Sequence, residues 1–210
     1  MATTKDLVLL QAPLDTASFD AAQMDTDCRA FLLTPGAASL VAGLRRAAWS
    51  AKAALAYVYL EPASAVTRGL LSTLEHRFAA HCPWAQAVRA SRLEQVFDTP
   101  GASAGRRADF HYAVEMDPDD GWMPEIARWY NTEHMPGLAA VPGCIRASRF
   151  LNHGHGPLSL ACYDLVTEDT LGSPPWLAVR GTPWSDITRP HFTNTRRTMF
   201  QVPSTPTSLP

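Results

Sequence analysis

Apolar and polar positions alternate most clearly in the second half of the chain. Phe110, Tyr112, Val114 and Met116 alternate with His111, Ala113 and Glu115, the two-residue period of a strand. Asp117-Pro118-Asp119-Asp120-Gly121 reads as a turn whose acidic residues suit the start of a helix. From Trp122 to about Leu138 the period becomes helical. Ile126, Trp129, Tyr130 and His134 fall on one broad stripe, and Pro136 is expected to end or kink the helix. After the turn Val141-Pro142-Gly143, Ile145 to Leu151 and Leu158 to Val166 predict paired strands around the loop from Asn152 to Pro157. A proline-interrupted helical region follows from Glu168 to about Arg180. His191 to Val202 then closes as a strand that His191 opens.

The first half repeats this order. Asp6 to Leu10 corresponds to Asp109 to Ala113, Thr34-Pro35-Gly36 to Val141-Pro142-Gly143, and Leu55 to Leu60 to Leu160 to Leu165. The offsets are 103, 107 and 105, differing only by loop lengths, and three matches in register argue for duplication. The division expected is a first module over residues 1–100, a second over 101–202, and a loose Pro/Ser/Thr-rich tail over 203–210. The Gly/Ala/Ser-rich stretch from Asp98 to Arg107 links the modules. Each βαββαβ module predicts a four-stranded antiparallel sheet with helices on one face. Two such sheets in one chain can cover each other's open faces. That is a barrel-like α+β core with clefts between sheet and helices, which are natural ligand sites.

Composition narrows the function classes. Hydrophobic residues make up 46% and charged residues 18%, a globular balance. The net charge is -2, and the pairs Arg45-Arg46, Arg106-Arg107 and Arg196-Arg197 are scattered, so no basic stripe exists for nucleic acid. Cys28, Cys82, Cys144 and Cys162 form no CxxC pair and read as buried free thiols. The early apolar run Leu7 to Leu10 is too short for a signal or membrane segment, so a cytoplasmic location and no membrane partner are expected. No GxGxxG, P-loop, HExxH or GxSxG motif is present.

Trp129-Tyr130-Asn131-Thr132-Glu133-His134-Met135-Pro136, followed by Val141-Pro142-Gly143, resembles the dimeric α+β barrel superfamily, and within it EthD-like proteins. Arg189-Pro190-His191-Phe192-Thr193-Asn194 looks like the same group. The motifs cover roughly residues 107–202; residues 5–98 match only in element order. The resemblance implies α+β class, with tandem ferredoxin-like βαββαβ modules forming a fused, pseudo-dimeric α+β barrel. Members include cofactor-free monooxygenases, isomerases, polyketide cyclases and haem enzymes, so the reaction stays open. In the first module Asp27 stands opposite His134 and Ala22 opposite Trp129, which predicts one working site, in the second module.

His134 is the sharpest candidate, because a neutral imidazole can take or give a proton near neutral pH. Tyr130 lies one turn earlier on the same face, and Asn131 can donate to a developing oxyanion. A histidine in a last helical turn beside Trp129 and Tyr130 also fits a packed core. Arg189 is a natural anchor for a carboxylate or enolate. The resemblance implies that His191 acts as a second proton-transfer group. His111 and Glu115 share a strand face opposite Phe110 and Tyr112, and Asn194 alternates with Arg196 on the last strand. If those faces meet the interior, they line a substrate space. His153 and His155 in the glycine-rich hairpin read as a solvated turn rather than a metal site.

The function expected is a cofactor-independent isomerase or lyase, including cyclases, moving a proton on a small cyclic or aromatic carbonyl or acid. Catalysis falls to His134, His191 and Tyr130. Substrate binding falls to Asn131, Arg189, Trp129, His111, Glu115 and Asn194. No metal and no cofactor are expected. The alternatives are a haem-binding enzyme, a cofactor-free monooxygenase, and a non-catalytic carrier of a small ligand. The partner is a small molecule, and the chain is a monomer or homodimer.

Overall fold

In the computed structural model, which describes residues 6–85 and 87–203, the chain divides into two compact units. The first comprises the chain up to Glu94, joined by His153–His155 and the chain from Phe200. The second comprises Gln95–Asn152 and Gly156–Met199. Most of the 203–210 tail lies outside the described residues.

The first unit runs β1 (Asp6–Pro13), α1 (Ala21–Leu33), α2 (Pro35–Ala38), β2 (Val41–Ser50), β3 (Leu55–Pro62), α3 (Arg68–His81) and β4 (Arg89–Pro100). Its helices start where side chains satisfy free backbone N–H groups. The Asp20 carboxylate accepts from Ala22 and Gln23, the Thr34 hydroxyl from Ala37, and the Thr67 hydroxyl from Leu70. The antiparallel strand order is β4-β1-β3-β2. Val8, Leu10, Val58 and Leu60 meet Met24 and Phe31 of α1 and Leu74 and Phe78 of α3.

The second unit repeats this plan with β5 (Phe110–Pro118), α4 (Met123–Trp129), α5 (Met135–Ala139), β6 (Cys144–Asn152), β7 (Ser159–Leu165), α6 (Pro174–Arg180), α7 (Pro183–Thr188) and β8 (Phe192–Gln201). Its order, β8-β5-β7-β6, is the same permutation. Two units with one strand order are what a duplicated βαββαβ sequence produces. Tyr112, Met116, Ala147 and Tyr163 face the helices and pack on Ile126, Trp129, Leu138 and Trp176. Trp129 and Trp176 are each 1% exposed, and burial of such a side chain is worth about 3 kcal/mol.

Two local expectations need adjusting. Pro136 does not end its helix, though regular helix is distorted just before it. Between α4 and α5, Tyr130–His134 forms a π-helical turn in which Met135 N–H donates to the Tyr130 carbonyl, five residues back. The widened turn carries the chain past a residue that has no N–H to give, and helix resumes with Pro136 in the first turn of α5. His191 does not open the last strand either. It ends a 3-10 turn, Arg189–His191, after α7, a short helix that the sequence pattern left out.

Candidate active site

The π turn sets the candidate site. It rotates Trp129, Tyr130 and His134 inward, 1%, 2% and 8% exposed, while Asn131 and Thr132 face solvent. Single π turns of this kind recur at functional sites, because they re-aim side chains that a regular helix would spread around its surface. Trp129 stacks on the His134 ring with centroids 4.1 Å apart and planes 24° apart. Tyr130 meets the same ring edge-on at 5.6 Å. Behind Tyr130, the Arg149 guanidinium lies 5.2 Å from its ring centroid, and Phe192 stacks on it at 6.0 Å.

A cleft opens between these helices and the sheet. Its free space is small, about 30 Å³, so a ring-sized ligand needs the lining side chains to move apart. Trp129, Tyr130, Tyr112, Tyr163 and Trp176 form its buried inner wall. Arg180, Arg189 and Arg197 also line it, and they are half-buried or exposed, which places them toward the rim. Among the described residues, no carboxylate lines the cleft.

Burial, with Arg180 and Arg189 adding to it, pushes the His134 imidazole down to about 3. His134 is therefore neutral at physiological pH. Its Nδ1 is buried and has no hydrogen-bond partner. Burial raises the Tyr130 phenol, against the pull of Arg149, Arg197 and Arg189, so it stays protonated and able to donate. Arg189 is lowered by burial first, then by Arg180 and Arg197: three like charges crowd one another.

The cleft joins four of the residues expected from sequence, namely Trp129, Tyr130, His134 and Arg189. It does not include the others. Asn131 is exposed. His191 stacks face-on against Trp122, centroids 3.4 Å apart, and its Nδ1 lies 3.0 Å from the Asp119 carboxylate. Asn194 is exposed, takes φ +47, and donates to Asp117 at 2.9 Å. His111 and Glu115 are buried at 4% and 2%, but on the sheet face opposite the helices, where His111 Nδ1 pairs with Asp164 at 2.8 Å. The pleat forces this, since Tyr112 and Val114 turn toward the cleft.

The sequence reading missed Tyr112, Tyr163, Trp176, Arg180 and Arg197 as lining residues. Tyr112 and Tyr163 sit on apolar strand faces, where they read as core. Arg180 and Arg197 carried no periodic signal, although the strand parity of Tyr112 and Val114 was available.

In the first unit, the position opposite His134 is occupied differently. Asp27 accepts from Trp84 Nε1 at 3.1 Å and from Gln23 at 2.7 Å, and Phe19, Trp49 and Trp84 pack together beside it. His153 and His155 are exposed, and His153 Nε2 lies 2.9 Å from Glu94. Among the described residues, no three His, Cys, Asp or Glu side chains are grouped to hold a metal ion, and no helix is long and apolar enough to cross a membrane.

No protein-family model matches the sequence, and no curated protein matches it. Solved structures do. A proposed monooxygenase from Fusobacterium nucleatum aligns over 97% of this chain and 94% of its own, with a TM-score of 0.66 and 12% identity. A ferredoxin-fold protein from Listeria monocytogenes, related to antibiotic biosynthesis monooxygenases, aligns over 97% of each chain, with a TM-score of 0.55 and 8% identity. A proposed chlorite dismutase aligns over 95% of each chain, with a TM-score of 0.58 and 13% identity. At these identities the likeness concerns the fold: α+β, with ferredoxin-like modules in tandem.

Proposed function

We propose that the cleft of the second module is the active site of a cofactor-independent enzyme that moves a proton on a small cyclic or aromatic carbonyl or acid. One observation carries this reading. A neutral, buried imidazole lines an aromatic cleft whose rim holds three arginines and whose lining, among the described residues, holds no carboxylate. His134 Nε2 accepts a proton from a carbon beside the substrate carbonyl. Arg189 and the Tyr130 hydroxyl stabilise the enolate that forms. Return of the proton at another carbon gives an isomer; loss of a leaving group gives a lyase.

A pKa of about 3 makes His134 a poor base in the empty cleft. An anionic substrate seated on Arg180 and Arg189 cancels part of their repulsion, the smaller cause of the depression, so the imidazole becomes somewhat more basic while burial still holds it below its usual value. His191, stacked outside the cleft, supports the rim and takes no proton from substrate. The EthD-like motif is then the helix that presents Trp129, Tyr130 and His134.

A second reading shares the first step. Molecular oxygen attacks the same carbanion, as in a cofactor-free monooxygenase. The likeness to proposed monooxygenases and the tryptophan- and tyrosine-lined cleft favour keeping it. The test is incubation in D2O with cyclic ketones that carry a carboxylate, following deuterium uptake by mass spectrometry and oxygen consumption by electrode. Deuterium uptake without oxygen loss supports the isomerase or lyase; oxygen loss supports the oxygenase. Saturable binding with neither marks a carrier and refutes the enzyme.

A further inference from the structure

We infer that the cleft takes a planar ring acid bearing two negative charges on one edge, its ring inward and its acid groups at the rim. This rests on the proposal that the cleft holds the substrate, and it names the class of that substrate.

Arg180, Arg189 and Arg197 line one small cleft. Burial first, and then Arg180 and Arg197, disfavour the charge on Arg189. All three arginines also act on Tyr112 in the inner wall, so they gather at one place rather than along a surface. The polar contact of Arg189 is to a backbone oxygen, with Nη1 donating to the Arg180 carbonyl at 3.4 Å. The acidic group that bears on Arg189 is Asp186, an exposed residue of α7 that acts less than burial and the neighbouring arginines do. A surface that needed three arginines only for solubility would place them apart or pair them with carboxylates. Three crowded guanidiniums with no carboxylate in the lining make a site that one negative charge leaves undercompensated.

Shape supplies the rest. The inner wall is aromatic and almost wholly buried, and the arginines are the more exposed part of the lining. A ligand therefore enters ring first and leaves its anionic edge among the guanidiniums. Tyr130 and His134, both deep, then face the ring rather than the acid groups. The proton that moves is a ring proton, held away from the carboxylates.

Isothermal titration calorimetry of the full chain at pH 8 and low salt tests this with three probes. Phthalate has a ring and two charges, benzoate a ring and one, and inorganic phosphate close to two charges and no ring. Phthalate is expected to bind at least about tenfold more tightly than either of the others. Arg197→Gln, a change on the exposed side of β8, is expected to bring the phthalate and benzoate constants within about threefold, with circular dichroism unchanged. Equal binding of phthalate and benzoate overturns the inference. So does phosphate binding as tight as phthalate, or a preference that survives both Arg197→Gln and Arg180→Gln. The two proposals fail separately. A phthalate preference with no conversion in D2O or oxygen refutes the enzyme and leaves this inference standing. Conversion of a monoacid with no dianion preference does the reverse.

Discussion

The depressed basicity of His134 has a measurable consequence for stability. The group ionises near 6.5 in an unfolded chain and at about 3 in the folded cleft. A folded pKa below the unfolded one means that the unfolded chain binds the proton more readily. The His134 contribution to stability is therefore intact above pH 6.5 and is lost as pH falls toward 3. Each pH unit in that window is worth about 1.4 kcal/mol, so the full loss is about 5 kcal/mol and the part reached at pH 4.5 roughly 3 kcal/mol. His134 is 8% exposed, so solvent screens little of this. Carboxylates elsewhere also respond to acid, but they are shared by a His134→Gln variant. Urea unfolding of both proteins at pH 7.5 and pH 4.5 isolates the histidine. The wild type is expected to lose roughly 3 kcal/mol more than the variant over that interval. Equal losses in the two proteins, or a His134 resonance that titrates near 6.5 by NMR, would refute the buried neutral imidazole.

Three further outcomes follow from the packing. Gly143 has φ +96, and a Cβ there would lie 2.3 Å from Thr170 Oγ1, so Gly143→Ala is expected to cost about 2 kcal/mol in urea unfolding. Trp129→Ala removes a 1%-exposed indole from between helix and sheet and should cost about 4 kcal/mol by the same assay, with loss of tertiary signal in near-ultraviolet circular dichroism. Arg149 is 2% exposed with Nε and Nη1 unpartnered, so Arg149→Met is expected to leave stability unchanged or raise it by about 1 kcal/mol; a loss of about 3 kcal/mol would mean the guanidinium has a partner.

The sequence reading reached the module order because strand period and turn residues are local properties. Phe110 to Met116 and Leu160 to Leu165 announce strands by alternation or by continuous burial, and both fold so. The grouping of Trp129, Tyr130 and His134 was legible in part, as a stripe on one helix, but the π turn that carries them was not. What sequence did not carry was the joining of distant elements. Arg180 ends a short helix, Arg189 sits in a 3-10 turn and Arg197 lies in β8, and only tertiary folding brings them to one rim. His111 and Glu115 lie on the face opposite Tyr112 and Val114, as their alternation reads, and that face is not the one that lines the cleft. His191 was drawn away by Trp122 and Asp119, a local partnership that the motif around Pro190 does not reveal.

The central claim is that His134 moves a proton in a cleft that binds the substrate without it. The most direct test compares wild type with His134→Gln for the rate of deuterium incorporation from solvent into a cyclic ketone carboxylate, with its dissociation constant measured alongside. The account predicts a fall in exchange rate of about 10²- to 10⁴-fold with binding changed by less than about threefold. Equal exchange rates in the two proteins would contradict it, as would loss of binding in step with the rate.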